Sequence, residues 1–181
     1  MRLAPISSAS SLDSQMGDPK DCLDITLRQA ERKDASTVFR ILQALAGYHG
    51  PETVFTATLE DVVRDGFGPT PVYESWLAEH TGQAVGLATF FRTYSTFRGQ
   101  LCLYLDNLYV EPHARRQGVG RLLITQVGKR ALDWNCCCIV LSVSADNPAS
   151  AFYESLGFSR VPDVVCSIAG EELKRLANPF S

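Results

Sequence analysis

The sequence predicts an α/β (α+β) domain with a mixed, mostly antiparallel central sheet flanked by helices on both faces. Three observations carry this expectation. Short stretches of period-two alternation are interspersed with stretches whose apolar residues recur at helical spacing. The strands of the middle region flank His80-Thr-Gly82, a hairpin-type turn. One later run, Cys138 to Val143, is almost continuously apolar, as in a strand buried on both faces.

The elements follow in chain order. Residues 1 to 22 are rich in Ser, Pro and Asp without apolar periodicity, and read as a disordered arm before a single domain over 23–178. Asp24 to Arg28 alternates as a short strand. Asp34 caps a helix with apolar Ala35, Val38, Leu42 and Leu45, stopped by Gly47 and Gly50-Pro51. Thr58 and Asp61 open a second helix, and Asp65-Gly-Phe-Gly-Pro69 ends it. Strands follow over Val72–Glu79 and Ala84–Arg92, then a polar and aromatic loop from Tyr94 to Gly99. Leu103 to Val110 is aromatic and β-branched enough for a buried central strand. Val119, Leu122, Leu123, Val127, Ala131 and Trp134 then mark a helix. After the Cys138–Val143 strand, Pro148 starts a short helix closed by Gly157. Two short strands from Phe158, the second near Val164–Ile168, and a terminal helix over Glu171–Ala177 complete the chain.

Composition narrows the function classes. At 181 residues the chain can bury a core without staples. The net charge is −3 and no basic run exceeds Arg115-Arg116, which argues against nucleic acid as a partner. No apolar stretch approaches the ~20 residues of a membrane span, so no membrane partner is expected. The six cysteines form no Cys-x-x-Cys pair and have no paired histidines, so no metal is expected. They read as small core and surface residues in a reducing, cytoplasmic setting.

The chemistry concentrates after the central strand. A strand, a turn holding Arg115, Arg116, Gly118 and Gly120, and a helix N-terminus make a phosphate site. Unpaired N–H groups and the positive end of the helix dipole face the ligand there, and glycine permits close approach. A dinucleotide fingerprint lacks its third glycine, since Leu123 stands there, and a P-loop lacks its Gly-Lys-Ser/Thr. An ordinary strand–helix connection remains an alternative on this stretch alone.

The pattern Arg115-x-x-Gly118-x-Gly120 resembles the acyl-CoA pyrophosphate loop of the GNAT superfamily of N-acyltransferases. Asp146-Asn-Pro-Ala-Ser-Ala-Phe-Tyr153-Glu-Ser-Leu-Gly-Phe158 resembles a second GNAT signature, in the family's order and spacing. Asp65-Gly-Phe-Gly68, Pro71, Tyr73 and Tyr104–Val110 look like the diamine (spermidine/spermine-type) acetyltransferases. The resemblance implies the GNAT fold, acetyl-CoA as cosubstrate, a small-molecule primary amine as acceptor and a homodimer. It implies that Leu108, Tyr109 and Val110 pair with the pantetheine arm. The pyrophosphate would be held by Arg115, Arg116, Gln117, Gly118, Val119, Gly120 and Arg121, with Asp146 and Asn147 as further cofactor contacts.

The same resemblance implies that Asp106 organises a proton-relaying water and that Tyr153 protonates the departing sulfur. The group usually has glutamate where Asp106 stands and asparagine where Asp146 stands. A backbone N–H in Leu108–Val110, beside a family β-bulge, would hold the thioester carbonyl. A lysine-like amine is neutral only about one part in a thousand near pH 7.4, a penalty of roughly 4 kcal/mol. His49, Ser95, Phe97 and Asn107 are the expected substrate contacts, and Arg92 and Arg98 would suit an amine that also bears a carboxylate. The acidic positions expected for a polycation are missing. A protein or peptide N-acetyltransferase and a silent CoA-binding sensor remain alternatives.

Overall fold

The computed structural model describes residues 24–48, 50, 53–144, 147–161 and 166–177. The expected arm over 1–22 lies outside them. The chain divides into two compact units, one through Leu141 and one from Ser142 onward.

In the first unit, alternation gives β1 (Ile25–Gln29), whose Arg28 is held by two carboxylates. Its guanidinium donates to Asp34 at 2.6 and 2.9 Å and to Glu79 at 2.6 Å. Asp34 also accepts the Glu31 N–H at 2.8 Å, closing a 3₁₀ turn (Arg32–Asp34) that runs directly into α1 (Ala35–Tyr48). Thus Asp34 secures the turn before the helix. Gly47 does not stop α1; the left-handed turn comes at Gly50, φ 94°, whose N–H returns to Gly47 O. The Thr58–Asp61 capping box starts α2 (Leu59–Phe67) as its residues dictate.

Four antiparallel strands follow in order: β1, β2 (Glu74–His80), β3 (Gln83–Ser95) and β4 (Gln100–Val110). β3 extends to Ser95 and β4 begins at Gln100, so Tyr94 and Ser95 of the expected Tyr94–Gly99 loop are strand and the turn is confined to 96–99. β5 (Ile139–Val140) adds on parallel to β4. It is two residues long, where a strand from Cys138 to Val143 was expected, and Val140 and Val143 are exposed.

Side-chain alternation allots the helices to the two sheet faces. Leu77 and Leu87, cross-strand partners, join Val38, Ile41 and Leu45 of α1, Val62 of α2 and Tyr109 in one buried cluster. Each such aliphatic side chain stabilises by about 1.5–3 kcal/mol. Gly86 and Phe90 point the other way, toward α3 (Val119–Asp133): Gly86 lies under Val119 and Leu123, and Phe90 meets Trp134 edge-on. Arg130 of α3 grips Glu74 of β2 with Nε and Nη2 at 2.9–3.1 Å, while Trp76 Nε1 donates to the same carboxylate.

In the second unit, the Asn147 side chain accepts the Ala149 N–H at 2.9 Å and starts α4 (Ala149–Glu154), with Gly157 at φ 90° beyond it. α5 (Gly170–Ala177) is exposed throughout and carries Lys174–Glu171 and Arg175–Glu172 pairs. The two strands expected after Phe158 are not formed at 158–161 or 166–169, and residues 162–165 lie outside the described ones. No helix among the described residues is long and apolar enough to cross a membrane.

The Arg28 bond holds the Asp34 carboxyl below its ordinary value. Its stabilisation is therefore present above the unfolded-state pKa and lost as pH falls through the lower folded value. Asp34→Asn should cost about 1–3 kcal/mol at neutral pH. In urea titrations the gap from the parent should close in acid; a gap independent of pH would contradict the assignment.

Candidate active site

The site begins with a registry change in β4. Asn107 pairs with Thr89, but Leu105 pairs with Phe90, so Asp106 is an extra residue without a partner on β3. Such a bulge bends its strand and re-aims a side chain. It falls at Asp106 rather than in Leu108–Val110, where the family pattern set it. Asp106 is exposed, and Asn107 Nδ2 bridges its carboxylate at 2.7 Å and Thr89 Oγ1 at 2.8 Å. Desolvation pushes the Asp106 carboxyl above its ordinary value, and the Asn107 bond opposes that shift.

Pairing between β4 and β5 ends at Tyr104 and Val140. From Leu105 to Val110, β4 therefore has no strand on that side among the described residues. An edge with free N–H and C=O groups accepts an extended amide-bearing ligand as another strand would. Leu108, Tyr109 and Val110 lie along it.

The strand then passes through a 3₁₀ turn (Pro112–Ala114) into the loop before α3. Arg116 at φ 64° and Gly118 at φ 81° both occupy the left-handed region. Gly118 is the N-cap residue and has no side chain to cap the helix; the first intrahelical bond is Leu122 N–H to Gly118 O. The N–H groups of Val119, Gly120 and Arg121 therefore have no helical acceptor and emerge at the positive end of α3. Arg116 and Arg121 are exposed beside them, and Gln117 donates its side chain to His113 O. This donor set fits a pyrophosphate.

Arg115 is already engaged. Its Nε donates to Val110 O at 2.8 Å, and its guanidinium lies over the rings of Tyr48 and Tyr109. It ties the loop to the end of β4.

Tyr73 is a residue whose place the sequence did not disclose. Gly66 makes room for it: a Cβ there would stand 2.7 Å from the Tyr73 hydroxyl. Burial raises the Tyr73 phenol, and the charges of Asp65 and Asp106 raise it further, so it lies within electrostatic reach of Asp106. Its presence in the Gly66–Tyr73 stretch was the available signal.

Ser95 and Phe97 lie at the other end of the β3–β4 hairpin. Ser95 pairs with Gln100 and Asn107 with Thr89, so about 20 Å of strand separates them. The structure does not bring them to Asp106. Arg92 stacks on Trp134 at 4.7 Å and Arg98 reaches Cys137, so neither is set aside for a substrate carboxylate. His49 and Asp146 lie outside the described residues. A depression of about 450 Å³ beside α2 shares no residue with β4 or the Gly118 turn.

In the second unit, Tyr153 of α4 is half-buried between Phe152 and Phe158, with ring centroids 5.4 and 5.6 Å away. Burial raises its phenol, which therefore stays protonated at neutral pH. Asn147 uses its side-chain oxygen at the start of α4.

A bulged strand with an open edge, running into an uncapped glycine helix start, is an arrangement that can take an extended ligand ending in a pyrophosphate. Residues 37–158, well over half of the chain, match the model of the acetyltransferase (GNAT) family. The chain belongs to that family and has its fold. It is 32% identical over 142 residues to a thialysine N-epsilon-acetyltransferase of Bos taurus, covering 74% of this chain and 83% of that one. It is 30% identical over 139 residues to the Homo sapiens spermidine/spermine N(1)-acetyltransferase-like protein 1, covering 72% of this chain but only 20% of that longer protein. Among solved structures, an integron cassette protein from the V. cholerae mobile metagenome superposes with TM-score 0.71 at 20% identity, over 86% and 98% of the two chains.

A Cβ on Gly86 would meet Leu123 Cδ1 at 3.0 Å and both Tyr109 O and Val119 Cγ1 at 3.2 Å. An added methyl is held against the backbone Tyr109 carbonyl, and the Leu123 and Val119 side chains that seat α3 must give by a few tenths of an ångström. Gly86→Ala should lose about 1–3 kcal/mol in a thermal melt and weaken CoA binding in a titration. A folded variant with parental CoA affinity would show that the helix seat does not govern the turn.

Proposed function

We propose that the protein transfers an acetyl group from acetyl-CoA directly to a terminal primary amine of a small, amino-acid-like or diamine-like molecule. The observation that carries this is the open edge of β4, leading from the Asp106 bulge to the uncapped start of α3. The activities for which the thialysine and spermidine/spermine relatives are named support a small amine acceptor.

In this reading, Leu108–Val110 bind the pantetheine arm as a neighbouring strand would. Gln117 to Arg121 hold the pyrophosphate through backbone N–H groups, with side-chain charge from Arg116 and Arg121. Acetyl-CoA supplies the activated thioester. The chain's own task is to bind the ammonium, remove its proton and protonate the sulfur that leaves.

Asp106 attracts the ammonium and orders the water that takes its proton, with Asn107 fixing the carboxylate. A carboxyl raised by desolvation is a better proton acceptor than an ordinary aspartate. Tyr153, kept protonated by burial, donates to the sulfur. The free thiols among the described cysteines support a reducing, cytoplasmic setting, and the family resemblance supports a homodimer.

CoA release with diamines, basic amino acids including thialysine, and peptides tests the acceptor class. Small amines should be turned over and peptides not; preference for peptides would overturn the reading. Tyr153→Phe should lower kcat by roughly ten- to a thousandfold with acetyl-CoA affinity nearly unchanged, and parental turnover would remove its role. Asp106→Asn should shift the pH profile of kcat/KM, and an unchanged profile would exclude the relay.

A further inference from the structure

Three cysteines that acetyl transfer does not use converge at the other end of β4. Cys102 is buried on that strand, while Cys137 and Cys138 precede β5. Backbone pairing brings them together: Cys137 N–H donates to Leu101 O at 2.9 Å, and Leu103 N–H to Cys138 O at 3.0 Å. Cys102 and Cys138 thus lie side by side, one residue before the Leu103–Ile139 pair.

The Sγ separations are 3.0 Å for Cys102–Cys138, 3.7 Å for Cys102–Cys137 and 3.8 Å for Cys137–Cys138. Adjacent residues of an extended strand send their side chains to opposite faces. Cys137 and Cys138 reach the same point because the chain bends at Cys137. Packing alone requires no such convergence.

These spacings match a metal site. A tetrahedral zinc ion with Zn–S near 2.3 Å has sulfur–sulfur edges of about 3.8 Å. Two of the three edges already have that length, and rotation of the Cys138 side chain lengthens the third. Three thiolates around a dication leave one negative charge. Arg98, with Nη1 3.8 Å from Cys137 Sγ, offsets it. Cys137 is exposed, which gives an ion a way in and leaves a fourth position for solvent.

We propose that Cys102, Cys137 and Cys138 form a three-thiolate site for a thiophilic divalent cation of the zinc class, tying β5 to β4. Each thiol loses its proton on binding and no redox change is involved.

The full chain, kept reduced with a phosphine, is titrated with Zn²⁺ against a chromophoric chelator, and with Cd²⁺ while thiolate-to-metal absorption is followed. One equivalent should bind, with the charge-transfer band. Cys137→Ser, at an exposed position that leaves the core intact, should weaken Zn²⁺ binding by at least about a hundredfold, with Cys166→Ser unchanged. Zinc should also raise the melting temperature of the parent but not of Cys137→Ser. Absence of saturable binding, or binding indifferent to Cys137→Ser, would overturn the site. So would a Cys102–Cys138 disulfide in a chain that holds no metal once reduced.

Discussion

The approach of α3 to the sheet over Gly86 is the constraint on which the site depends. Because position 86 has no side chain, the Val119 and Leu123 side chains of α3 sit directly over β3 there. Val119 is the first residue of α3, so this seat fixes where the helix starts and where its unpaired N–H groups face. Toward its other end the helix is held again by the Arg130–Glu74 pair and by Trp134, whose ring is met by the guanidinium groups of Arg92 and Arg130. The loop before it is anchored at its base by Arg115 on Val110 O. A left-handed Arg116 costs on the order of 1 kcal/mol or more and persists only where the flanking structure dictates it. Here both flanks do.

The Asp106 bulge has a consequence for the sheet as a whole. An extra residue sharpens the local twist and turns β4 away from its straight path. Pairing with β5 stops at Tyr104, two residues before the bulge. One irregularity therefore accounts both for the exposed acid and for the unpaired edge beside it. An open edge along half of a strand is ordinarily a liability; in the proposed reading it is the surface on which an extended cofactor arm adds.

The sequence revealed whatever depends on periodicity. α1 and α3 followed from Val38–Leu45 and Val119–Ala131, whose helical spacing matches the faces these helices bury. The Gly118 helix start was legible because glycine and backbone N–H groups act without side chains. The bulge was not, since nothing in Leu105-Asp-Asn marks which residue loses its partner. Apolar content overstated β5, because pairing length is set by the neighbouring strand. Arg92, Arg98 and Arg115 read as free charges, yet they lie against Trp134, Cys137 and the Tyr48–Tyr109 pair. Ser95 and Phe97 were placed by loop position, without knowing that β3 and β4 stay paired almost to the turn. The thiol cluster escaped a reading by spacing because Cys102 joins Cys137 and Cys138 only through the β4–β5 ladder.

The acidic groups proposed for the chemistry share one electrostatic character. Asp106, Tyr73 and Tyr153 are each raised chiefly by desolvation, which favours their neutral forms. For an incoming ammonium the same cause acts with opposite sign on pKa, since removal from water also favours the neutral amine. A carboxylate beside it works against this by stabilising the charge. The balance turns on the gap between acceptor and donor pKa, each unit of which is worth about 1.4 kcal/mol. Raising the carboxyl while lowering the amine narrows that gap from both ends. An acid in a fully solvated position would bind the ammonium but leave its proton in place. Asp106, exposed yet partly desolvated and with Asn107 tempering the shift, would in the proposed mechanism hold the cation and still help to unload it.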